Sequence, residues 1–262
     1  MMTTLKVERK VVARIPTPGA EFRIMYYTNN RDEQEHIALV AGDVTGKENV
    51  LVRVHSECFT GDVLGSLRCD CGSQLARSME LVSKEGQGIV LYLRQEGRGI
   101  GLPEKLRAYN LQDLGYDTVD ANLLLGHDVD ERDYEIAALI LQDIGVASVR
   151  LLTNNPSKID GLRKFGIQVT SRETLESLIT DENSDYLRTK ATRMGHLLDL
   201  EELPESKPPG PNGTGPILQE VLAHKNQTGL PFVTLTYAQS LDGCIARPPG
   251  KPMRLSGPES RA

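Results

Sequence analysis

The sequence predicts an α/β fold: a layered α/β/α domain built on a mixed sheet, followed by a flexible linker and an incomplete second domain. Three observations lead there. Apolar runs of strand length alternate with segments whose apolar residues recur at helical spacing, the pattern of a layered sheet. Glycines stand directly behind the helical segments, where chain-breaking residues close helices. The stretch from Val11 to Val44 has β-rich segments and little helical period, so the sheet is expected to be mixed rather than purely parallel.

Each element follows in order. Val50-Leu51-Val52-Arg53-Val54 reads as a strand feeding a cysteine-containing segment. From Ser73 to Glu85 the apolar residues Leu75, Met79 and Val82 lie at helical spacing, and Gly86 closes the helix. Gly88 to Leu93 is a continuous apolar run, as expected of a strand buried on both faces. The glycine-rich turn Gln95 to Gly101 then leads into a helical stretch marked by Leu102, Leu106 and Tyr109. A helix is expected over Glu131–Ile144, ended by Gly145. Ser148–Leu152 is a short strand, and Pro156–Phe165 a helix with Gly166 beyond it.

Composition changes after Leu200. Residues 1–200 are read as one domain. Residues 201–216 are rich in Pro and Gly and nearly without apolar side chains, an extended solvated linker. Residues 217–262 offer a short helix over Ile217–His224 and a strand over Pro231–Tyr237, too little for a core of ordinary size. The opening residues Met1 to Lys10 lack the apolar core of a signal peptide, and no apolar run is long enough to span a membrane. With reduced thiols these features lead us to expect a cytoplasmic protein. A net charge of −6 argues against a general nucleic-acid binder, so an anionic ligand would need a local basic pocket.

Three of the four cysteines, Cys58, Cys69 and Cys71, are spaced C-x10-C-x-C. Three thiolates suit zinc and leave its fourth position open, the arrangement of a catalytic rather than a structural site. Water at such a position is acidified, which makes a hydrolytic tool. The alternatives are three small buried hydrophobes or a closed structural site with His55 as fourth ligand. The second lacks the paired knuckles usual for such sites. Gly97-Arg98-Gly99-Ile100-Gly101 lies between a strand and a helix, where backbone amides can cradle phosphate, and Arg98 adds a planar cation. It is not the dinucleotide fingerprint, and a plain turn is the other reading. In Thr153-Asn154-Asn155-Pro156-Ser157-Lys158 a routine N-cap competes with phosphate binding. Lys158 favours the latter, because a cation at a helix N-terminus opposes the dipole unless a polyanion lies across it. The acidic run Asp128 to Asp133 reads as a solvated, capping stretch.

Taken together, these strings closely resemble the GTP cyclohydrolase II family. The matching strings are RVHSEC (53–58), SLRCDCGSQL (66–75), RQEGRGIGL (94–102), NLQD (110–113) with GYDTVDAN (115–122), DERDY (130–134), RLLTNNPSK (150–158) and RMGHLL (193–198). They follow the family's order over roughly residues 10–200. The resemblance implies conversion of GTP to formate, diphosphate and 2,5-diamino-6-(ribosylamino)-4(3H)-pyrimidinone 5′-phosphate, the first step of riboflavin biosynthesis. It implies one Zn2+ per chain on Cys58, Cys69 and Cys71, Mg2+ with the GTP phosphates, and a homodimer. GTP contacts fall on Arg53, Val54, His55, Ser56, Glu57, Gln74, Glu96, Gly97, Arg98, Thr118, Thr153 and Lys158. Asp130 is implied as proton acceptor and Arg132 as the group attacking the α-phosphate. A guanidinium stays protonated in proteins, so electrostatic stabilisation by Arg132 is an equally sound reading. Tyr109 matches a tyrosine needed for the second hydrolysis, although its helical spacing from Leu102 and Leu106 also allows plain core packing. A non-catalytic GTP-binding scaffold, or an enzyme stopping at the formamide, are the alternatives. Loss of a cysteine or of Tyr109 would have favoured them, and none is lost. Pro231–Gly243 and Leu255–Ser260 resemble the opening of the riboflavin-pathway reductase, a fragment not expected to reduce anything.

Overall fold

The computed structural model describes residues 4–199, 201 and 203. Seven strands form one sheet: β1 (Val7–Pro16), β2 (Glu21–Asn29), β3 (His36–Ala41), β4 (Val50–Ser56), β5 (Gly88–Leu93), β6 (Val149–Leu152) and β7 (Val169–Glu173). Their spatial order is β1-β2-β3-β5-β4-β6-β7. The β1–β2, β2–β3 and β3–β5 pairs are antiparallel, whereas β5–β4, β4–β6 and β6–β7 are parallel. The sheet is therefore mixed, as the N-terminal β-rich stretch predicts.

Helices cover both faces. On one side α5 (Glu135–Ile144) and α6 (Pro156–Lys164) pack Ile136, Ile140, Leu141 and Leu162 onto Val52, Val54, Ile89 and Leu91. On the other α2 (Cys71–Glu85) sets Val82, Leu75 and Met79 against Phe22, Leu51 and Val90. Alternate residues of β4 and β5 thus serve opposite cores, which is why both read as unbroken apolar runs. Burying each such side chain contributes about 1.5–3 kcal/mol. The left-handed glycines Gly86 and Gly145 close α2 and α5 where the sequence places them.

The parallel half positions the site. The carboxyl ends of β4, β5 and β6 run into the Cys58 segment, the Gln95–Gly101 turn and the Thr153–Lys158 turn. Loops at the carboxyl edge of a parallel sheet are where α/β proteins gather ligands. Between and around them lie α1 (Phe59–Asp62), α3 (Gly101–Asp113), α4 (Thr118–Leu124) and α7 (Ser184–Met194).

Two expectations need correction. The helix predicted from Glu131 begins at Glu135, because residues 131–134 form a loop that Glu131 N ties to Arg98 O at 3.1 Å. The stripe Leu102, Leu106, Tyr109 is not a core face. Leu106 is 46% exposed, while Lys105 and Ala108 are buried, because α3 turns a polar face onto the cysteine segment. The linker and the tail after it lie outside the described residues, apart from Glu201 and Leu203. Among the described residues no helix is long and apolar enough to cross a membrane.

Candidate active site

Cys58 leaves β4 and is fixed by Asp62, which closes the single turn of α1. Asp62 accepts from the Cys58 amide at 2.9 Å and from the Tyr92 hydroxyl at 3.0 Å. Cys69 and Cys71 arrive from the start of α2. All three sulfurs lie within 4.8 Å of one another, with Cys58 and Cys69 Sγ 3.5 Å apart. Glycine backbone makes the room: a Cβ on Gly61 would stand 2.9 Å from Cys69 Sγ and 3.1 Å from Cys58 Sγ. Thiols this close oppose one another's ionisation. Hydrogen bonds from Cys69 and Cys71, then the Lys105 cation, pull Cys58 down, and its hydrogen bond to Cys58 pushes Cys69 up to about 11. A dication would relieve that conflict and let all three ionise. The soft donor set and the glycine-backed cradle fit zinc, and the three thiols would hold it.

His55 does not complete a closed site. Its Nε2 sits 3.0 Å from both Asp62 oxygens and its ring stacks on Tyr92 at 5.5 Å, so it orients the α1 turn instead. Among the described residues the cluster consists of the three thiols alone.

The cradle opens onto a pocket rich in cations: Arg53, Arg98, Arg132, Lys158 and Lys190 all line it. Asp130 holds Arg132 in a two-pronged ion pair, Nε to Oδ1 at 2.7 Å and Nη2 to Oδ2 at 2.5 Å. Burial alone would raise the Asp130 pKa, but Arg132 outweighs it and keeps the carboxyl below its usual range. The Arg132 pKa rises despite burial, helped by Tyr134 and Asp130, so the guanidinium stays charged. Asp70 pairs with Lys190 at 2.7 Å. Arg53 spends one nitrogen on Leu152 O and another on Gln74 Oε1 at 2.7 Å. Lys158 donates to Val54 O at 2.8 Å. Its pKa is driven well down, by burial first and then by Arg53, Arg132 and Lys190. Both terminal nitrogens of Arg98 are buried without a hydrogen-bond partner. Buried cations packed this way want a polyanion.

In the glycine turn one amide is already spent within the chain. Gly97 N donates to Glu96 Oε1 at 2.7 Å, and Arg98 adopts a left-handed conformation, φ 65°, that aims its guanidinium at the Tyr186 ring, 5.7 Å away. A non-glycine residue held there is strained, which is common at functional sites. The Arg98 side chain lines the pocket with its terminal nitrogens free of hydrogen bonds. Glu96 also accepts from Phe59 N at 2.7 Å and from Lys105 Nζ at 2.8 Å, while Lys105 Nζ reaches Cys58 Sγ at 3.0 Å. Tyr109 hydrogen-bonds Thr60 Oγ1 at 3.1 Å beside the cradle, and burial lifts its pKa to about 12, so the phenol keeps its proton. Thr153 Oγ1 accepts from Asn155 N at 3.0 Å, and Asn155 caps α6. The N-cap reading of that turn holds, with Asn155 as the cap.

The structure brings nearly every predicted site residue to this one pocket: Arg53, His55, Ser56, Glu57, Gln74, Glu96, Gly97, Arg98, Tyr109, Thr118, Arg132, Thr153, Lys158 and the three cysteines. Val54 and Asp130 stand behind it, holding Lys158 and Arg132. Sequence reasoning missed Lys105, Tyr186, Lys190 and His196, which also line the pocket. The available signal was spacing: Lys105 and Tyr109, like Tyr186 and Lys190, are one helical turn apart.

Three clustered thiols and a set of buried basic side chains lining one pocket at the carboxyl edge of an α/β sheet make a candidate site for hydrolytic chemistry. Residues 8–174 match the family described as GTP cyclohydrolase II, and the chain belongs to that family. Riboflavin biosynthesis protein RibBA of Mycobacteroides abscessus is 58% identical over 206 residues, 76% of this chain and 49% of that protein. The RibBA proteins of Salinispora tropica and Bacillus mycoides are 58% and 55% identical, covering 75% and 74% of this chain and 49% of each relative. The chain thus spans about half the length of the curated relatives it matches. A solved two-domain 3,4-dihydroxy-2-butanone 4-phosphate synthase from A. baumannii aligns at a TM-score of 0.39 and 20% identity, over 66% of this chain and 41% of that one, too weak a likeness to bear on fold or function.

Proposed function

We propose that this chain hydrolyses GTP, in a zinc-dependent reaction, to formate, diphosphate and 2,5-diamino-6-(ribosylamino)-4(3H)-pyrimidinone 5′-phosphate, the first step of riboflavin biosynthesis. The observation that carries the reading is that the thiol cradle opens into the same pocket as a cluster of basic side chains, among them Arg98, whose terminal nitrogens have no hydrogen-bond partner. A base at the cradle would place its phosphates on Arg98, Arg132 and Lys158. When bound, zinc supplies a Lewis-acidic position at which water becomes a nucleophile near neutral pH.

The protein's own residues do the rest. Lys105, pinned between Cys58 and Glu96, carries positive charge beside the thiolates. Tyr109, protonated and held by Thr60, sits beside the cradle where it can donate a hydrogen bond during the second hydrolysis. Arg132, held by Asp130, stabilises charge on the α-phosphorus instead of attacking it, because its guanidinium stays protonated. Asp130 is first an orienting group, and it becomes available as a proton acceptor only when Arg132 turns to the phosphates. Mg2+ would travel with the triphosphate and neutralise its leaving group. We carry the homodimer and the cytoplasmic location as part of the same proposal, together with a domain over residues 1–200, a linker over 201–216 and a reductase-like fragment over 217–262.

The test is incubation of the purified full chain with GTP and Mg2+, with products identified by mass and zinc measured in the same sample. Formate and the diaminopyrimidinone in equal yield are expected. GTP bound without turnover by zinc-replete protein would overturn the reading in favour of a scaffold.

A further inference from the structure

The family match ends at residue 174, yet residues beyond it close one side of the pocket. Asn154 ties down that segment at both ends. Its side chain donates to Leu175 O at 2.5 Å and accepts from Leu175 N at 3.2 Å, and its carbonyl accepts from Leu197 N at 2.8 Å. Between those points the segment reaches the metal cradle through one residue, Asp70, which stands between Cys69 and Cys71 and is 1% exposed. Ser177 Oγ donates to Asp70 Oδ2 at 2.7 Å, and Lys190 Nζ of α7 donates to Oδ1 at 2.7 Å. Gln74 Nε2 gives a third bond, to Oδ2 at 2.6 Å, and its Oε1 accepts from Arg53. Lys190 also lies 4.4 Å from the Tyr186 ring.

With donors on both oxygens, Asp70 is not free to serve as a metal ligand, and the thiol cluster does not include it. A buried ion pair is also a poor device for stability alone, since desolvation offsets much of its attraction. What it does well is fix geometry. We propose that Lys190, with Ser177, is a positioning residue for the metal cradle: its ion pair with Asp70 holds the Cys69–Cys71 turn at the spacing that three thiolate ligands need. Through Gln74 and Arg53 the same chain of bonds ties the cradle to the nucleotide wall. This inference rests on the zinc reading above.

The test uses the full chain as purified with zinc. Lys190→Met keeps most of the side chain's length and removes its charge, and Lys190→Arg keeps the charge. Zinc release to a chromogenic chelator is timed well below the melting temperature, and the zinc-free proteins are melted separately. Loss of groups that orient metal ligands typically weakens metal binding about 10- to 100-fold. Lys190→Met should therefore release zinc faster by that order, with Lys190→Arg within a few-fold of the parent. A lower melting temperature in Lys190→Met with zinc release unchanged would reduce the pair to a structural role and overturn the proposal. Should Lys190→Met fail to fold, Ser177→Ala decides: faster zinc release supports the proposal, and an unchanged rate defeats it. A parent protein that holds no zinc would instead overturn the metal reading itself, and this inference with it.

Discussion

The thiol cradle and the cationic wall share one pocket and are built in opposite ways. The cradle is local: its three cysteines span residues 58–71, and Gly61 within that stretch makes room for the sulfurs. The wall is assembled at long range, with Arg53 from β4, Arg98 from the turn after β5, Arg132 from the loop before α5, Lys158 from α6 and Lys190 from α7. A local site can be read as a motif and should fail as a unit. A dispersed site shares its work, so single changes should be graded and should separate one chemical step from another.

The largest effect should come from the local half. Cys69→Ser should drop zinc from one per chain to near none. It should also slow ring opening by roughly 10³-fold, since metal polarisation is worth several kcal/mol in the transition state. Full zinc occupancy with normal turnover in that variant would remove the cradle from the chemistry. Arg132→Ala should then slow diphosphate release by about 10²- to 10³-fold, the usual consequence of losing a preorganised charge, while leaving zinc content alone. A parallel loss of zinc would mean that the two halves are not separable.

Tyr109→Phe sits at their boundary. It should still bind GTP and zinc but accumulate the formamide, with formate release down by about 10²-fold, as for loss of a positioned proton donor or acceptor. A normal formate yield would return Tyr109 to packing.

Lys158 offers a subtler check of the wall. In the free protein burial and neighbouring cations depress its pKa, so its charged form is disfavoured. Bound phosphates favour that charged form, so binding should take up protons and affinity should fall as pH rises. Calorimetry with a non-hydrolysable GTP analogue, in two buffers of different ionisation heat, should show net uptake that shrinks in Lys158→Met. Equal heats in both buffers for the parent would count against it. Removal of everything after Leu200 should have the smallest effect, within a few-fold in turnover. An inactive truncation would move the domain boundary.

What the sequence determined by itself was whatever depends on neighbours along the chain. The strand runs of β4 and β5, the glycines that close α2 and α5, and the C-x10-C-x-C cluster all follow from local spacing. The strings shared with the family carried the assignments of Arg53 and Asp130, which spacing alone did not supply. Tertiary structure decided which face of α3 is buried, and it reversed the apolar reading by exposing Leu106 and burying Lys105. It likewise gave Asp70 to Lys190, residue 70 to residue 190. The physical reason is that burial and ion pairing are set by what lies across the pocket. That is fixed only once the parallel strands have brought the carboxyl-end loops of β4, β5 and β6 together.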